Sequence, residues 1–209
     1  MHYLLLPLFV LAVALGGCAD DLPVATQGGS TIMPLAVGNR WSGVTTLYEN
    51  GAVSSQFQDS VRIVSALERD GFTWYVDDDG LLCRTDETGL HPSVSCECLA
   101  LNARYPAAPG DTFSTVRVLV LLPSSQVPVE QVVAWQVVSV DTLITVPAGT
   151  FHCYHYRTVL FAPQDARLLK IQSTFYAVDV GPVLLEAYDN DGSAPLILSR
   201  WELSSYHLE

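Results

Sequence analysis

The chain has 209 residues, 49% of them hydrophobic and 15% charged, which suits one domain of good size with a substantial core. Its 22 acidic side chains against 10 basic ones set a formal charge of −12. So acidic a surface repels nucleic-acid phosphates and anionic headgroups, which argues against nucleic-acid binding and against polybasic membrane attachment.

Residues Leu4 to Leu15 are apolar without interruption. The run is too short to span a bilayer comfortably but has the length of a signal-peptide core. It ends in Leu15-Gly16-Gly17-Cys18, which resembles a bacterial lipobox. Small residues before the cut admit the peptidase to the backbone, and the Cys18 thiol accepts the diacylglycerol. The n-region departs from the usual pattern in having no Lys or Arg, only His2 and the amino terminus. The resemblance implies a signal peptide over 1–17, removal before Cys18, and membrane anchoring through acyl chains, palmitate among them, on that residue. Ala19 rather than Asp follows Cys18, as in the outer-membrane-directed pattern, and Asp20-Asp21 resembles a surface-export signal. Both imply a cell-envelope location. Residues 18–34, with Gly28-Gly29-Ser30-Thr31, lack apolar periodicity and read as a lipidated, flexible tether.

From Pro34 onward the pattern is that of strands, which gives a single domain over 35–209. Phe57, Val61 and Ile63 alternate with Gln56, Gln58, Ser60 and Arg62, and Leu169, Ile171 and Phe175 with Lys170, Gln172 and Thr174. Val116–Leu122 and Val132–Val146 are more continuously apolar, as in strands covered on both faces. Trp201 and Leu203 alternate with Arg200 and Glu202 near the end. Asn50-Gly51, Asp70-Gly71, Asp79-Gly80 and Asp191-Gly192 are hairpin signals; Pro147-Ala148-Gly149 and Gly181-Pro182 mark further bends. The pattern predicts an all-β, antiparallel domain of roughly ten strands, sandwich or barrel, without a long amphipathic helix.

Several stretches resemble an uncharacterised family of exported bacterial β-domain proteins. They are Pro34-Leu35-Ala36-Val37-Gly38-Asn39-Arg40-Trp41, Tyr105-Pro106 with Gly110-Asp111-Thr112-Phe113, Val146-Pro147-Ala148-Gly149-Thr150-Phe151 with Cys153, and Ser199-Arg200-Trp201-Glu202-Leu203. The resemblance implies a single antiparallel, strongly curved sheet and no agreed activity.

Four cysteines remain besides Cys18: Cys83, Cys96, Cys98 and Cys153. An even number in an exported domain predicts two disulfides, with three pairings available. Cys96 and Cys98 share a strand face, which disfavours a bond between them and favours Cys83 with one and Cys153 with the other. Zinc on these cysteines with His152 or His155 is the competing reading, but Cys-x-x-Cys spacing is absent and His152 and Cys153 point to opposite faces of a strand. Asp77-Asp78-Asp79-Gly80 and Asp189-Asn190-Asp191-Gly192 lack the spaced ligands of a calcium loop and read as turns.

The chain contains no Gly-x-Ser-x-Gly, His-Glu-x-x-His or phosphate-binding glycine loop, and its mature histidines are His91, His152, His155 and His207. His152 and His155 point to opposite faces of one strand, one solvated and the other packed. The expected function is a membrane-anchored envelope lipoprotein with no catalytic role, no metal and no cofactor, acting as a structural or interaction module on an envelope partner. The alternative is a carrier holding an apolar ligand or lipid against Trp41, Trp74, Trp135 and Trp201; the blander reading makes these tryptophans core filling. Oligomeric state is left open.

Overall fold

The computed structural model describes residues 30–93, 103–120, 129–162, 167–189 and 195–209. Every regular element among them is a strand: β1 (Arg40–Glu49), β2 (Ala52–Arg69), β3 (Phe72–Asp77), β4 (Leu82–Asp86), β5 (Gly89–Ser93), β6 (Ala103–Arg104), β7 (Thr112–Val120), β8 (Val129–Val146), β9 (Gly149–Ala162), β10 (Arg167–Ala177), β11 (Gly181–Asp189) and β12 (Leu196–His207). They form one antiparallel, nearly closed barrel-shaped sheet in the order β6-β5-β4-β3-β2-β1-β12-β11-β10-β9-β8-β7. The excess over ten strands comes from the short elements β4 to β6.

Two hairpins follow directly from their turn residues. Asn50 and Gly51 have φ of 52° and 78°, and Asp70 and Gly71 have 54° and 77°. Positive φ at both central positions is the geometry whose twist matches the flanking strands, and Asn-Gly and Asp-Gly tolerate it best. The Asp79-Gly80 turn is held differently: Asp77 Oδ1 accepts from the backbone N–H of Asp79 (3.1 Å) and of Leu81 (2.8 Å). Asp191-Gly192 lies outside the described residues.

Register partners run without a break across the sheet, from Phe57 to Thr45, Trp201, Leu185, Thr174, Tyr156 and Val137. Because side chains alternate, this row and the residues two steps along each strand share the inner face. That face is filled by side chains, with Trp41, Ile63, Tyr156, Val183 and Leu203 at its fully buried centre. Trp201 lies flat over Gly43, where an added Cβ would sit only 2.3 Å from the indole.

One register slip and two long-range hydrogen bonds complete the closure. The register slips between Ser42 and Gly43 opposite Ser204, and the Leu203 carbonyl accepts the N–H of Ala148, at the β8–β9 turn, at 3.0 Å. The Pro147-Ala148-Gly149 bend is thereby fastened to β12. From the inner face of β9, Tyr156 Oη donates to the Arg104 carbonyl of the edge strand β6 at 2.6 Å. The segment expected to be tether ends inside the domain: Ile32 and Met33 are buried, and Thr31 exchanges two hydrogen bonds of 2.8 Å with Asp179.

Candidate functional site

The residues singled out from sequence fall into three groups. Cys18, Cys96 and Cys98 lie outside the described residues. Cys83 and Cys153 are free thiols. Burial pushes both up to about 12, helped at Cys83 by the Asp77 carboxylate, so neither is a thiolate at neutral pH. Cys83 sits on the inner face of β4 opposite Tyr75, while Cys153 in β9 is opposite Ala177. Among the described residues no three His, Cys, Asp or Glu side chains gather as metal ligands.

The two histidines of β9 divide as the alternation requires. His152 is exposed, with Nδ1 at 2.5 Å from Asp141 Oδ1. His155 stacks on Phe175 with ring centroids 4.2 Å apart and meets Ser173 Oγ at 3.1 Å. Burial, reinforced by Arg157, lowers its pKa, so it stays neutral at physiological pH. Trp41 and Trp74 are buried, and Trp135 and Trp201 half-buried. Trp41, Trp135 and Trp201 belong to the inner core, whereas Trp74 is buried on the other face of the sheet, beside Arg84.

A cluster that sequence reading missed is the most chemically distinctive feature of the described structure. On the outer face of β3 to β5, Arg84 is 1% exposed and His91 5%. Arg84 and His91 are direct cross-strand partners, and Trp74 stands beside Arg84, one step from the Tyr75–Cys83 pair. The Arg84 guanidinium covers the Phe72 ring at 3.9 Å and approaches the Trp74 ring at 5.5 Å. Its Nη1 donates to Asp86 Oδ2 at 2.6 Å. The other carboxylate oxygen accepts from the Thr88 backbone N–H (2.8 Å) and hydroxyl (2.6 Å), and His91 Nε2 lies 3.0 Å from it. Burial works to raise the Asp86 pKa, but the hydrogen bonds from His91 and Thr88 outweigh it and hold the carboxyl well below the usual range.

This arrangement contains Thr, His and Asp without forming a nucleophile relay. Such a relay places the carboxylate on one ring nitrogen and the hydroxyl on the other. Here Asp86 Oδ1 and Thr88 Oγ1 both meet His91 Nε2, each at 3.0 Å. The Thr88 hydroxyl proton goes to Asp86, leaving Thr88 an acceptor toward the ring. His91 Nδ1, which a general base would use, is buried and has no hydrogen-bond partner. What the cluster does is neutralise a buried guanidinium and fix the turn between β4 and β5. The sequence signal was available: Arg84 and Asp86 share a strand face, and Asp86-x-Thr88-Gly89 is turn chemistry. Nothing in the sequence said that this outer face is covered.

Residues of the motif-like stretches also have structural tasks. Asn39, buried, donates from Nδ2 to the Pro34 carbonyl at 3.0 Å and accepts the Glu209 N–H at 2.8 Å. Trp41 Nε1 donates to the Val180 carbonyl. Gly110 N–H donates to the Val137 carbonyl, whose own N–H donates to Asp111.

The sequence matches no protein-family model and no curated protein. Two solved structures resemble the chain. One is a Bacteroides fragilis protein described as exported and as having a YmcC-like fold; it is 16% identical, with a TM-score of 0.54, covering 86% of this chain and all of that one. The other is a Parabacteroides distasonis protein described as a lipoprotein, 15% identical with a TM-score of 0.46, covering 87% of this chain and all of that one. At this identity the first likeness establishes the fold.

Proposed function

We propose that the chain is a lipoprotein of the bacterial cell envelope whose β-domain serves as a non-catalytic structural or interaction module. The observation that carries this reading is Leu15-Gly16-Gly17-Cys18 placed directly after an uninterrupted apolar run of signal-peptide length. Residues 1–17 are removed, Cys18 is acylated, and a tether delivers the domain 31–209 to the envelope. The Bacteroides fragilis protein of like fold is itself described as exported, which supports the reading. Ala19 directs the mature protein to the outer membrane. The non-catalytic assignment is supported by the Asp86–Thr88–His91 geometry, in which hydroxyl and carboxylate converge on one imidazole nitrogen.

The test is replacement of Cys18 by Ser in the full chain. The wild-type protein takes up labelled palmitate, is shortened by 17 residues and fractionates with membranes; the variant is unlabelled and keeps its leader. A Cys18→Ser protein that is still processed and palmitate-labelled defeats the proposal.

A further inference from the structure

The end of the sheet from which the N-terminal segment leaves carries a surface of distinctive chemistry. Thr31 is pinned to Asp179, so Ser30 departs beside the β10–β11 turn and the start of β1, where Trp41 bonds Val180. Around this end stand four large apolar side chains exposed to solvent: Leu81 (63%), Val37 (50%), Tyr206 (42%) and Val64 (40%). Backbone contacts hold them together. Gly38 donates to Ile63, Asp78 donates to Arg62, and Tyr206 is the register partner of Trp41.

Beside them Arg40 and Arg62 are direct cross-strand partners, both exposed, on the face of β1 and β2 opposite to Trp41 and Tyr206, whose ring rests against Phe151. Among the described residues no carboxylate forms an ion pair with either guanidinium; Arg40 reaches only the Ser60 hydroxyl, at 3.4 Å. Like charges placed opposite one another on neighbouring strands repel. In a chain with 22 acidic side chains, leaving such a pair unneutralised is conspicuous. The nearby carboxylates of Asp78, Asp179 and Glu209 are engaged by Arg62 N–H, Thr31 N–H and His207 respectively, and Asp79 lies in the turn beside them.

We propose that this end of the domain rests on the headgroup layer of the bilayer that holds Cys18. Arg40 and Arg62 take lipid phosphate oxygens, and Val37, Val64, Leu81 and Tyr206 sit in the interface. The inference rests on the lipoprotein reading, because the anchor supplies the proximity. Cys18 lies twelve positions before Ser30, a reach of at most about 40 Å, so the tether permits contact without enforcing it. Guanidinium suits a phosphate bidentately, and tyrosine with aliphatic neighbours suits the membrane–water boundary. The opposite end of β1 lies about 30 Å away at the strand rise. It also exposes apolar groups, Val53, Leu196 and Leu198, but without an arginine pair or the tether.

The experiment places a photo-reactive diazirine amino acid at Leu81 or at Val53 in the full chain, in intact cells whose lipids carry radiolabelled phosphate. Labelled lipid on the Leu81 protein, at least fivefold above the Val53 protein, is the expected result. Arg40→Gln with Arg62→Gln lowers the Leu81 signal severalfold while palmitate labelling and membrane fractionation stay unchanged. Equal labelling at both positions, labelling at Val53 alone, or capture of protein instead of lipid at Leu81 overturns the proposal in an anchored, palmitate-labelled chain. A chain that takes up no palmitate defeats the lipoprotein reading itself, and this inference with it.

Discussion

The indole N–H of Trp41 donates to the carbonyl oxygen of Val180 at 2.6 Å, tying the first strand to the turn between β10 and β11. The contact is possible because Gly181 has no side chain. A Cβ there would lie 2.8 Å from Trp41 Nε1, on a residue whose φ is 103°. Gly181→Ala therefore combines backbone strain with overpacking and is expected to cost about 3 kcal/mol. Gly51→Ala, with φ of 78° and open space around it, isolates the strain alone at about 1 kcal/mol. Urea unfolding of the two variants should show midpoints shifted in that order with unchanged slope.

Gly43 tests packing without the backbone term. An added methyl would collide with the Trp201 indole at 2.3 to 2.6 Å. Gly43→Ala is expected to lose about 2 kcal/mol in the wild-type background and much less in Trp201→Leu. A double-mutant cycle measured by denaturant midpoints gives the coupling directly; a value near zero would mean that the two residues do not touch.

The buried Arg84–Asp86 pair is expected to respond asymmetrically. Asp86→Ala strands a guanidinium at 1% exposure and should destabilise by about 3 to 5 kcal/mol, whereas Arg84→Met with Asp86→Ala should cost less than Asp86→Ala alone. The pair also sets a pH dependence. The folded Asp86 carboxyl lies below its unfolded value. Its stabilisation is therefore complete above the unfolded value near pH 4 and is lost as pH falls toward the folded one. Stability measured between about pH 6 and pH 2 should show this acid limb flattened in Asp86→Asn.

Cys83 and Cys153 should be silent toward maleimide at pH 7.5 in the folded protein, since burial holds both thiols up at about 12. In urea without reductant both should be alkylated, as mapped by mass spectrometry. If either needs reductant as well as urea, it is disulfide-bonded, and the free thiols described above would have to be revised.

Tyr156→Phe removes the hydroxyl that reaches from β9 to the Arg104 carbonyl of the edge strand β6. The loss should be about 1 kcal/mol, because the stranded acceptor is a single backbone carbonyl. Hydrogen exchange should rise first in Ala103–Arg104 and in the Tyr105 amide, which is bonded to the Thr88 carbonyl.

Much of the architecture is legible in local chemistry. Alternation at Phe57, Val61 and Ile63 and the Asn50-Gly51 and Asp70-Gly71 turns report the strands, because period and positive φ are properties of a few adjacent residues. The short strands β4 to β6 escape because five or fewer residues carry too little period to read. Arg84, Asp86 and His91 escape for another reason: their chemistry depends on burial of the outer face, which only the assembled sheet creates. The Gly43–Trp201 contact is likewise invisible across 158 positions. Asn39 and Trp41, in contrast, belong to a stretch that reads as a motif, although its purpose as a knot between both ends of the domain appears only in three dimensions.

The pairing of β1 with β12 has a consequence in time as well as space. Arg40 finds its partner in His207, so that edge of the first strand stays open until β12 has been made. Non-local antiparallel pairing of this kind is slow to form, on the scale of milliseconds to seconds. A nascent chain built this way exposes that edge of β1 until β12 has emerged. The same closure that stabilises the finished sheet also leaves the completion of β1 to the last strand of the order, β12.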